Sequence, residues 1–363
     1  MAIELREARE SDLAEAAALI ARVFDRPSPS DGAERLQWQL FANPARPPHI
    51  PAGWIIRDDG AAVGFLANIP RRMRFSGRDR LVACTAKYVT LPTHRLHGLA
   101  LAKTYFSQPG VDALFISSAS DSSAPILKKF GAKEVEGVDR GAVFAVRPAR
   151  VAGEILRQKP RTRAIAAVAA PLAGLALRAG AALRAKPKIA ADVRVESLKR
   201  FSAETDALWS AARDDFAACA ERSSEVLNWQ FVDGPGSRPA TKILACKRGA
   251  ALTGFAVLQD RENAQFAIRR RHVMDLFTRR GDDAAFEALV AAALRETQHD
   301  GPDTLEFRHL STARLERLAI WGARLRTLPL NPFLIRPVQP DLTLPASADG
   351  WYLTPGDGDG AGW

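Results

Sequence analysis

The segment Arg95-Leu96-His97-Gly98-Leu99-Ala100 combines residue types that suit phosphate binding. It follows an apolar run, Leu81 to Leu91, that ends in Pro92, and it opens a helical pattern. The first backbone N–H groups of a helix have no partner within it, and the helix dipole favours negative charge there. Gly98 carries no Cβ to hold a phosphate away, and Arg95 adds a forked cationic donor. The spacing predicts an anion site, although a plain strand-to-helix turn would use the same elements.

The order of apolar strand, Pro92, Arg95, Gly98 and Ala100 resembles the acyl-CoA loop of the GNAT superfamily of N-acyltransferases, which reads V-x-P-x-x-R-x-x-G-x-G/A. In that family the backbone amides of the loop hold the pyrophosphate of coenzyme A, and the end of the preceding strand pairs with the pantetheine arm. The resemblance therefore implies acetyl-CoA or another acyl-CoA as co-substrate, and no metal. The cofactor-binding residues that it implies are Val89, Thr90, Leu91, Arg95, Leu96, His97, Gly98, Leu99 and Ala100.

Acyl transfer to an amine needs a base for the amine and an acid for the leaving thiolate. In the family the base is often an acidic residue on the strand before the loop, but no Asp or Glu lies between Leu81 and Leu91. The family's tyrosine acid has no counterpart either, since Leu127 stands at its place before Gly131-Ala132. The catalytic candidates that remain are Tyr88, His94 and Asp275. Each candidate has an equally ready structural explanation. Tyr88 would be a core aromatic, His94 an exposed loop histidine, and Asp275 a hydrogen-bond partner at the end of a strand.

The elements around this segment predict an α/β protein with a mixed sheet. Residues 1–147 read as β-α-α-β-β-β-α-β-α-β, which is the GNAT order. Asp59-Gly60 between two apolar runs predicts a hairpin, and the strand Val143 to Val146 is expected to close this first domain.

The sequence then repeats itself at a nearly constant spacing of 190 or 191 residues, which predicts a tandem duplication. The matches are Leu36 with Leu227, Trp38 with Trp229, Gln39 with Gln230, Pro44 with Pro235, Gly64-Phe65 with Gly254-Phe255, Leu114 with Leu305, and Gly131-Ala132 with Gly322-Ala323. We therefore expect two tandem GNAT-like domains, 1–147 and 191–340, joined by an Ala/Arg-rich helical linker, 148–190, and followed by a tail, 341–363.

The second copy departs from the first at the loop. It reads Thr278-Arg279-Arg280-Gly281-Asp282-Asp283-Ala284, so the R-x-x-G-x-A spacing is lost and two carboxylates stand where a phosphate would lie. We expect the first copy to bind the acyl-CoA and the second to shape the acceptor side. Asp275, on the preceding strand of the second copy, is the best-placed acid for a shared cleft.

The positive charge of the chain is concentrated in the linker. Between Arg147 and Lys188 there are ten Lys or Arg residues and one acid, and these account for nine of the ten net positive charges. The charge therefore does not indicate a nucleic-acid-binding face on either domain. The linker's uncharged stretch, Ala164 to Leu177, is too short for a transmembrane span. It predicts a packed helix or, alternatively, a basic amphipathic helix lying on anionic lipid, with peripheral membrane contact through 150–188.

The three cysteines, Cys84, Cys219 and Cys246, are scattered, and the N-terminus lacks a secretory apolar region. We expect a cytoplasmic protein, with or without membrane association, and the Ala and Arg usage is typical of a bacterial genome. The sequence thus predicts an acyltransferase that moves an acetyl or acyl group from coenzyme A to an amine or hydroxyl acceptor. The analogy with tandem GNAT proteins suggests a sugar, cell-envelope or peptide acceptor. A catalytically inactive acyl-CoA-binding or interaction module, and a membrane-surface protein acting through the linker, remain alternatives.

Overall fold

The computed structural model describes residues 3–24, 32–117, 119–158, 160–182, 184–235, 241–263, 266–327, 332–345 and 348–358, and all structural statements concern these residues. The chain divides into two compact units. Unit 1 contains residues 1–138, 216–238 and 330–363, and unit 2 contains residues 139–215 and 239–329.

The helices and strands follow one another in a mixed α/β order, which confirms the predicted fold class. The helices are α1 (Leu13–Val23), α2 (Gly32–Leu40), α3 (Arg95–Phe106), α4 (Ala124–Lys129), α5 (Pro148–Gln158), α6 (Ala166–Ala182), α7 (Ala203–Ala212), α8 (Ser224–Phe231), α9 (Asp283–Asp300) and α10 (Thr312–Ile320). The strands are β1 (Ile3–Glu7), β2 (Gly53–Asp58), β3 (Ala61–Phe75), β4 (Arg78–Thr90), β5 (Ala113–Ile116), β6 (Lys133–Glu134), β7 (Arg140–Ala145), β8 (Val193–Leu198), β9 (Ala218–Ala220), β10 (Thr241–Arg248), β11 (Ala251–Asn263), β12 (Phe266–Thr278), β13 (Thr304–Arg308), β14 (Arg324–Thr327), β15 (Leu334–Pro337) and β16 (Trp351–Tyr352).

The sheet of unit 1 has the order β1-β2-β3-β4-β5-β15-β6, and β9 joins it at β3. Along this order the strands are antiparallel except for β4 and β5, which are parallel. One apolar core, with Leu13 and Leu36, lies under α1 and α2, and another, with Leu101 and Leu127, lies under α3 and α4. The sheet is therefore covered on both faces, as a mixed sheet with a parallel pair requires.

The hairpin between β2 and β3 turns at the two residues that the sequence indicates. Asp59 and Gly60 both have positive φ, 46° and 84°. This is the backbone that a two-residue turn needs to match the twist of the strands, and it explains the Asp-Gly pair.

The sheet of unit 2 has the order β8-β10-β11-β12-β13-β7-β14, with β12 and β13 as its parallel pair. Position by position this order matches that of unit 1. The matching strands at the sixth position are exchanged: β7 lies between β13 and β14, whereas β15 lies between β5 and β6. The sequence predicts that the strand Val143 to Val146 closes the sheet built by residues 1–138. This prediction is wrong, because the strand pairs in the sheet of unit 2, where Ala142 and Phe144 enter the core.

The compact units are consequently not continuous stretches of sequence. The ranges 1–147, 148–190, 191–340 and 341–363 stay a prediction about how the sequence is divided, while the units follow the hydrogen-bonded sheets.

The linker forms α5 and α6, which pack together in unit 2. Small residues make this contact: a Cβ on Gly174 would lie 2.6 Å from the Cβ of Ala149, and one on Gly153 would lie 3.1 Å from the Cβ of Ala170. The sequence predicts an interruption at Pro171, but α6 continues through it. Pro171 is exposed, so its ring points away from the packed side of the helix. Among the described residues, no helix has both the length and the hydropathy that crossing a bilayer requires.

The tail is anchored in unit 1 by a buried ion pair. Arg222, whose side chain is 1% exposed, donates from Nη2 to both carboxylate oxygens of Asp357, at 3.0 and 2.8 Å. Asp357 also accepts from the backbone N–H of Thr354 at 2.7 Å. Trp351 packs edge-on against Phe75 with ring centroids 5.5 Å apart. The last five residues of the tail, 359–363, lie outside the described residues.

We expect Asp357→Ala to lower the free energy of unfolding by about 3–5 kcal/mol, because it leaves the guanidinium of Arg222 buried without its carboxylate. Urea denaturation followed by tryptophan fluorescence measures the change. Asp341→Ala, which removes an exposed partner of Arg78 and Arg80, is the control and should have a much smaller effect. Equal losses in the two variants would contradict a tail held by this pair.

Candidate functional site

The last part of β4 has a free edge towards β5. The parallel pairs between these strands begin at Val82–Ala113 and end at Thr85–Ile116, but β4 continues to Thr90. A bulge marks the point where the strands separate: Lys87 has a φ of 51°, and the register with β3 shifts between Phe65 and Ala67. A bulge bends its strand and increases the local twist. Beyond Lys87, residues 88 to 90 of β4 have no register pair with β5 among the described residues, so this stretch can take another partner.

The helix that follows begins without a side-chain cap. After Leu91 the chain makes one 3₁₀ turn, Pro92–His94, and α3 starts at Arg95. Its first turn contains no acidic residue, and no side chain caps it. Arg95 is exposed and makes no hydrogen bond or ion pair with the described residues. Leu96 is also 82% exposed. The N-terminus of α3 therefore has the positive end of its dipole and a guanidinium open to an anion.

Gly98 lies inside α3, where the helix contacts β4. A Cβ at this position would lie 3.3 Å from the hydroxyl oxygen of Tyr88 and 3.4 Å from Cγ2 of Thr90. Tyr88 donates its hydroxyl hydrogen to the carbonyl oxygen of Gly98 at 2.7 Å. The sequence predicts that Gly98 lets a phosphate approach the backbone; in the structure the absence of a Cβ lets β4 approach the helix.

The three catalytic candidates have different surroundings. Burial raises the pKa of Tyr88 to about 12, so the phenol keeps its proton at neutral pH, and that proton is donated to the helix. His94 braces the loop: its Nε2 lies 3.0 Å from Oδ2 of Asp58, and its Nδ1 lies 2.8 Å from Oγ1 of Thr93. Asp275 is buried on β12 in unit 2, whereas Tyr88 and His94 belong to unit 1.

Tyr105 is a positioning residue that the sequence reasoning missed. Its fully buried hydroxyl lies 2.7 Å from the carbonyl oxygen of Ala83 and 3.2 Å from that of Phe115, to which it can donate. These carbonyls belong to β4 and β5, close to the point where the strands separate. Burial raises the pKa of Tyr105 well above its usual range, so the hydroxyl stays a donor. A tyrosine in an apolar helix face is the signal, because a buried hydroxyl needs a partner.

The corresponding junction in unit 2 is filled by carboxylates of the chain itself. Asp282 caps α9 by accepting from the backbone N–H of Ala285 at 3.1 Å. Asp215 accepts from the backbone N–H of Arg280 at 2.9 Å and pairs with the side chain of Arg279 at 3.3 Å. A phosphate at the N-terminus of α9 would be repelled by these two carboxylates, whereas no acidic side chain lies in the first turn of α3.

Among the described residues, no group of three or more His, Cys, Asp or Glu side chains is arranged to hold a metal ion. The polar groups around the α3 junction are instead backbone amides, Arg95, and the pair of His94 with Asp58. These groups suit phosphate oxygens.

We expect Gly98→Ala and Tyr88→Phe to be coupled. Alanine is favoured over glycine inside a helix by about 1 kcal/mol, but here the new Cβ meets the Tyr88 hydroxyl. Gly98→Ala should therefore be more favourable, by roughly 0.5–1 kcal/mol, in the Tyr88→Phe background than in the wild-type protein. A double-mutant cycle from urea unfolding measures this coupling. Strict additivity would show that the hydroxyl does not set the space at Gly98.

Three comparisons relate this geometry to known proteins. Residues 4–133 match the family model of the acetyltransferase (GNAT) domain. No curated protein sequence is significantly similar to the chain.

Solved structures share the fold over nearly the whole chain. A GCN5-related N-acetyltransferase from Anabaena variabilis has a TM-score of 0.63 at 11% identity, and a probable N-acyltransferase from Enterococcus faecalis has 0.61 at 13%. Each alignment covers 93% of this chain and 73% of the other. N-myristoyltransferase from Saccharomyces cerevisiae, with bound myristoyl-CoA, has a TM-score of 0.54 at 13% identity, over 97% of this chain and 89% of that one. Residues 4–133 therefore match the GNAT acetyltransferase domain model, and the chain shares the fold of these solved structures.

Proposed function

We propose that the protein transfers an acetyl or acyl group from coenzyme A to an amine or hydroxyl acceptor, and that unit 1 binds the acyl-CoA. The observation that carries this proposal is the uncapped N-terminus of α3 directly after the free edge of β4. The GNAT domain match covers this junction, and the fold neighbours are N-acetyl- and N-acyltransferases.

The residues at the junction fit the parts of coenzyme A. The first backbone amides of α3 and the Arg95 guanidinium would hold the pyrophosphate. The edge of Val89 to Leu91 would pair with the amide groups of the pantetheine arm, as a strand pairs with an added strand. When bound, the acyl-CoA supplies the thioester-activated acyl group. The bound myristoyl-CoA of the yeast neighbour supports a site able to take long-chain as well as short-chain donors.

The surroundings of the catalytic candidates favour positioning roles for two of them. Tyr88 holds α3 against β4, and His94, braced by Asp58, fixes the loop. Asp275 stays a proposal for the acceptor side. In unit 2 the acids Asp215 and Asp282 take the place of a phosphate, which supports a second copy without its own acyl-CoA.

We also propose that the two lobes arose by tandem duplication. Their sheets have matching strand orders. Trp38 and Trp229, one from each copy, stack at 5.2 Å between ring centroids, and the indole N–H of each donates to the backbone carbonyl of the other at 3.1 Å. Such a reciprocal pair is what a near-two-fold relation between α2 and α8 would produce.

We expect Arg95→Glu to abolish stabilisation by acetyl-CoA, because it places a carboxylate at the pyrophosphate position. A ligand at a hundredfold its Kd stabilises the folded state by about 2.7 kcal/mol, which is roughly 5–10 °C in Tm for a domain of this size. Thermal-shift titrations of acetyl-CoA and myristoyl-CoA measure the effect. The matched control is Arg280→Glu at the equivalent loop of unit 2, which should respond like the wild-type protein.

Two outcomes would contradict the proposal. The absence of a shift with every acyl-CoA in folded wild-type protein would exclude unit 1 as an acyl-CoA site. A normal shift in Arg95→Glu with loss in Arg280→Glu would move the site to unit 2. Acyl-CoA binding without thiol release, across amine and hydroxyl acceptors, would instead identify the catalytically inactive binding module.

A second candidate function, peripheral membrane binding, is favoured by the surface of α6. Gly174 and Ala170 of this helix pack on α5, whereas its Val168, Leu172 and Leu175 are exposed. Ile165, Val168, Leu172 and Leu175 are 56–74% exposed and recur every three or four residues, so they form one stripe. Basic residues flank the stripe, among them the exposed Arg161, Arg163 and Arg184. An apolar stripe between basic residues suits the surface of an anionic bilayer.

We expect the protein to float with vesicles that contain phosphatidylserine and not with neutral vesicles. Leu172→Asp should weaken this binding at least about tenfold, because it removes one buried apolar side chain and adds repulsion. Ile320→Asp, at an apolar residue 63% exposed on α10, is the matched control and should bind like the wild-type protein. Equal binding of the two variants would show that the α6 stripe does not contact lipid.

A further inference from the structure

The sheet of unit 2 has a charged face opposite its apolar core. Leu258 of β11, Val273 of β12, and Leu305 and Phe307 of β13 all enter the core. Side chains of a strand alternate between the two faces of a sheet. The residues between and beside these positions therefore lie on the opposite face.

Strand register brings the residues of this opposite face together. Arg261 is paired with Arg270, His272 lies beside Glu306, and Arg308 and Arg326 lie on either side of Gly141. We call this group the cationic face: Arg261, Arg270, His272, Glu306, Arg308 and Arg326. It comes from four strands, β11 to β14, of which β13 and β14 lie on either side of β7 in the sheet.

Positive charge exceeds negative charge on this face. Glu306, whose side chain is 4% exposed, serves two arginines: its carboxylate lies 3.7 Å from Nε of Arg270 and 3.5 Å from Nη2 of Arg308. Asp275 is a second acid on this side, since it pairs with Val257 beyond a bulge in β12. Arg324, which pairs with Val143 two residues before Arg326 on β14, adds a further positive charge to this side.

The arginines are close enough to repel one another. Burial, and then the positive charge of Arg308, lower the pKa of Arg261. Burial lowers the pKa of Arg326, Glu306 opposes this, and Arg324 and Arg270 lower it further. Burial and the same arginines lower the pKa of His272 well below its usual range, so the imidazole is neutral at pH 7. Holding like charges together in a partly buried place costs free energy that a bound anion would offset.

The face is also reachable from solvent. The side chains of Arg308 and Arg270 are 27% and 19% exposed, and Arg326 is exposed, whereas His272 and Glu306 are buried beneath them. Nε of Arg308 is buried without a hydrogen-bond partner in the described part of the chain. The guanidinium groups therefore form a rim around a buried polar floor.

We propose that the cationic face is a binding site for an anionic group, a phosphate or a carboxylate. The planar fork of arginine matches both groups, and several guanidinium groups in a partly desolvated place are the usual means of holding them.

The test titrates inorganic pyrophosphate, and separately citrate, into full-length Arg95→Glu protein by calorimetry. Arg95→Glu keeps the probe away from the proposed acyl-CoA loop. We expect saturable binding at one site. A further Arg308→Gln change should weaken binding about tenfold or more, since it removes a charge-assisted hydrogen bond. Glu306→Gln, of nearly the same shape, should tighten it, because it removes the opposing charge. Arg295→Gln, at an exposed residue of α9, is the matched control for the loss of one positive charge.

The direction in which each substitution changes the affinity for the probe tests the proposed site. Opposite effects of Arg308→Gln and Glu306→Gln, with Arg295→Gln unchanged, support the site, and preference for one probe identifies phosphate or carboxylate. No saturable binding at millimolar probe, or equal effects of Arg308→Gln and Arg295→Gln, overturns it. Anion binding in a protein that takes no acyl-CoA would keep the site and refute the acyl-transfer function.

Discussion

The hydrogen bonds between β15 and β5 are the constraint on which the rest of unit 1 depends. Strand β5 pairs with β4 on one side, over Val82 to Thr85, and with β15 on the other. A buried strand must satisfy its backbone groups on both sides, and β15 pairs with the same residues of β5, Ala113 to Ile116, that pair with β4. The strand next to the β4–β5 pair thus comes from the far end of the sequence. Unit 2 has the same arrangement, with β7 in the place of β15.

The two units differ in the groups that surround the junction between the long strand and the helix that follows it. In both units the hairpin before the long strands is tied to the loop, by Asp58 with His94 in unit 1 and by Arg248 with Asp282 in unit 2. The carboxylate stands on the hairpin in unit 1, as Asp58, and on the loop in unit 2, as Asp282. In unit 2 the carboxylate also caps the helix, so the amides that could face a phosphate are satisfied from within. Acyl-CoA binding in one lobe only would leave the other lobe free to recognise an acceptor.

The segment with the highest net charge along the sequence is not the place where the fold brings arginines together. The linker accounts for nearly all of the net charge, yet α5 and α6 are ordinary packed helices whose small residues face each other. The cationic face contributes little to the net count because Glu306 and other acids of unit 2 balance it. What distinguishes it is that register places four arginines from β11, β12, β13 and β14 on one side of the sheet.

The sequence by itself determined the local elements and the junction between β4 and α3. Apolar runs, Asp59-Gly60 and Pro92 act through backbone geometry within a few residues, so their effect can be read without a fold. The repeat spacing likewise predicts two lobes. Only the tertiary structure decided that β7 and β15 are exchanged, that Gly98 makes room for Tyr88, that Tyr105 holds β4 and β5, and that arginines of four strands form one face. Each of these is a pairing between residues distant in the chain, and strand pairing is set by register and core packing that no local pattern encodes.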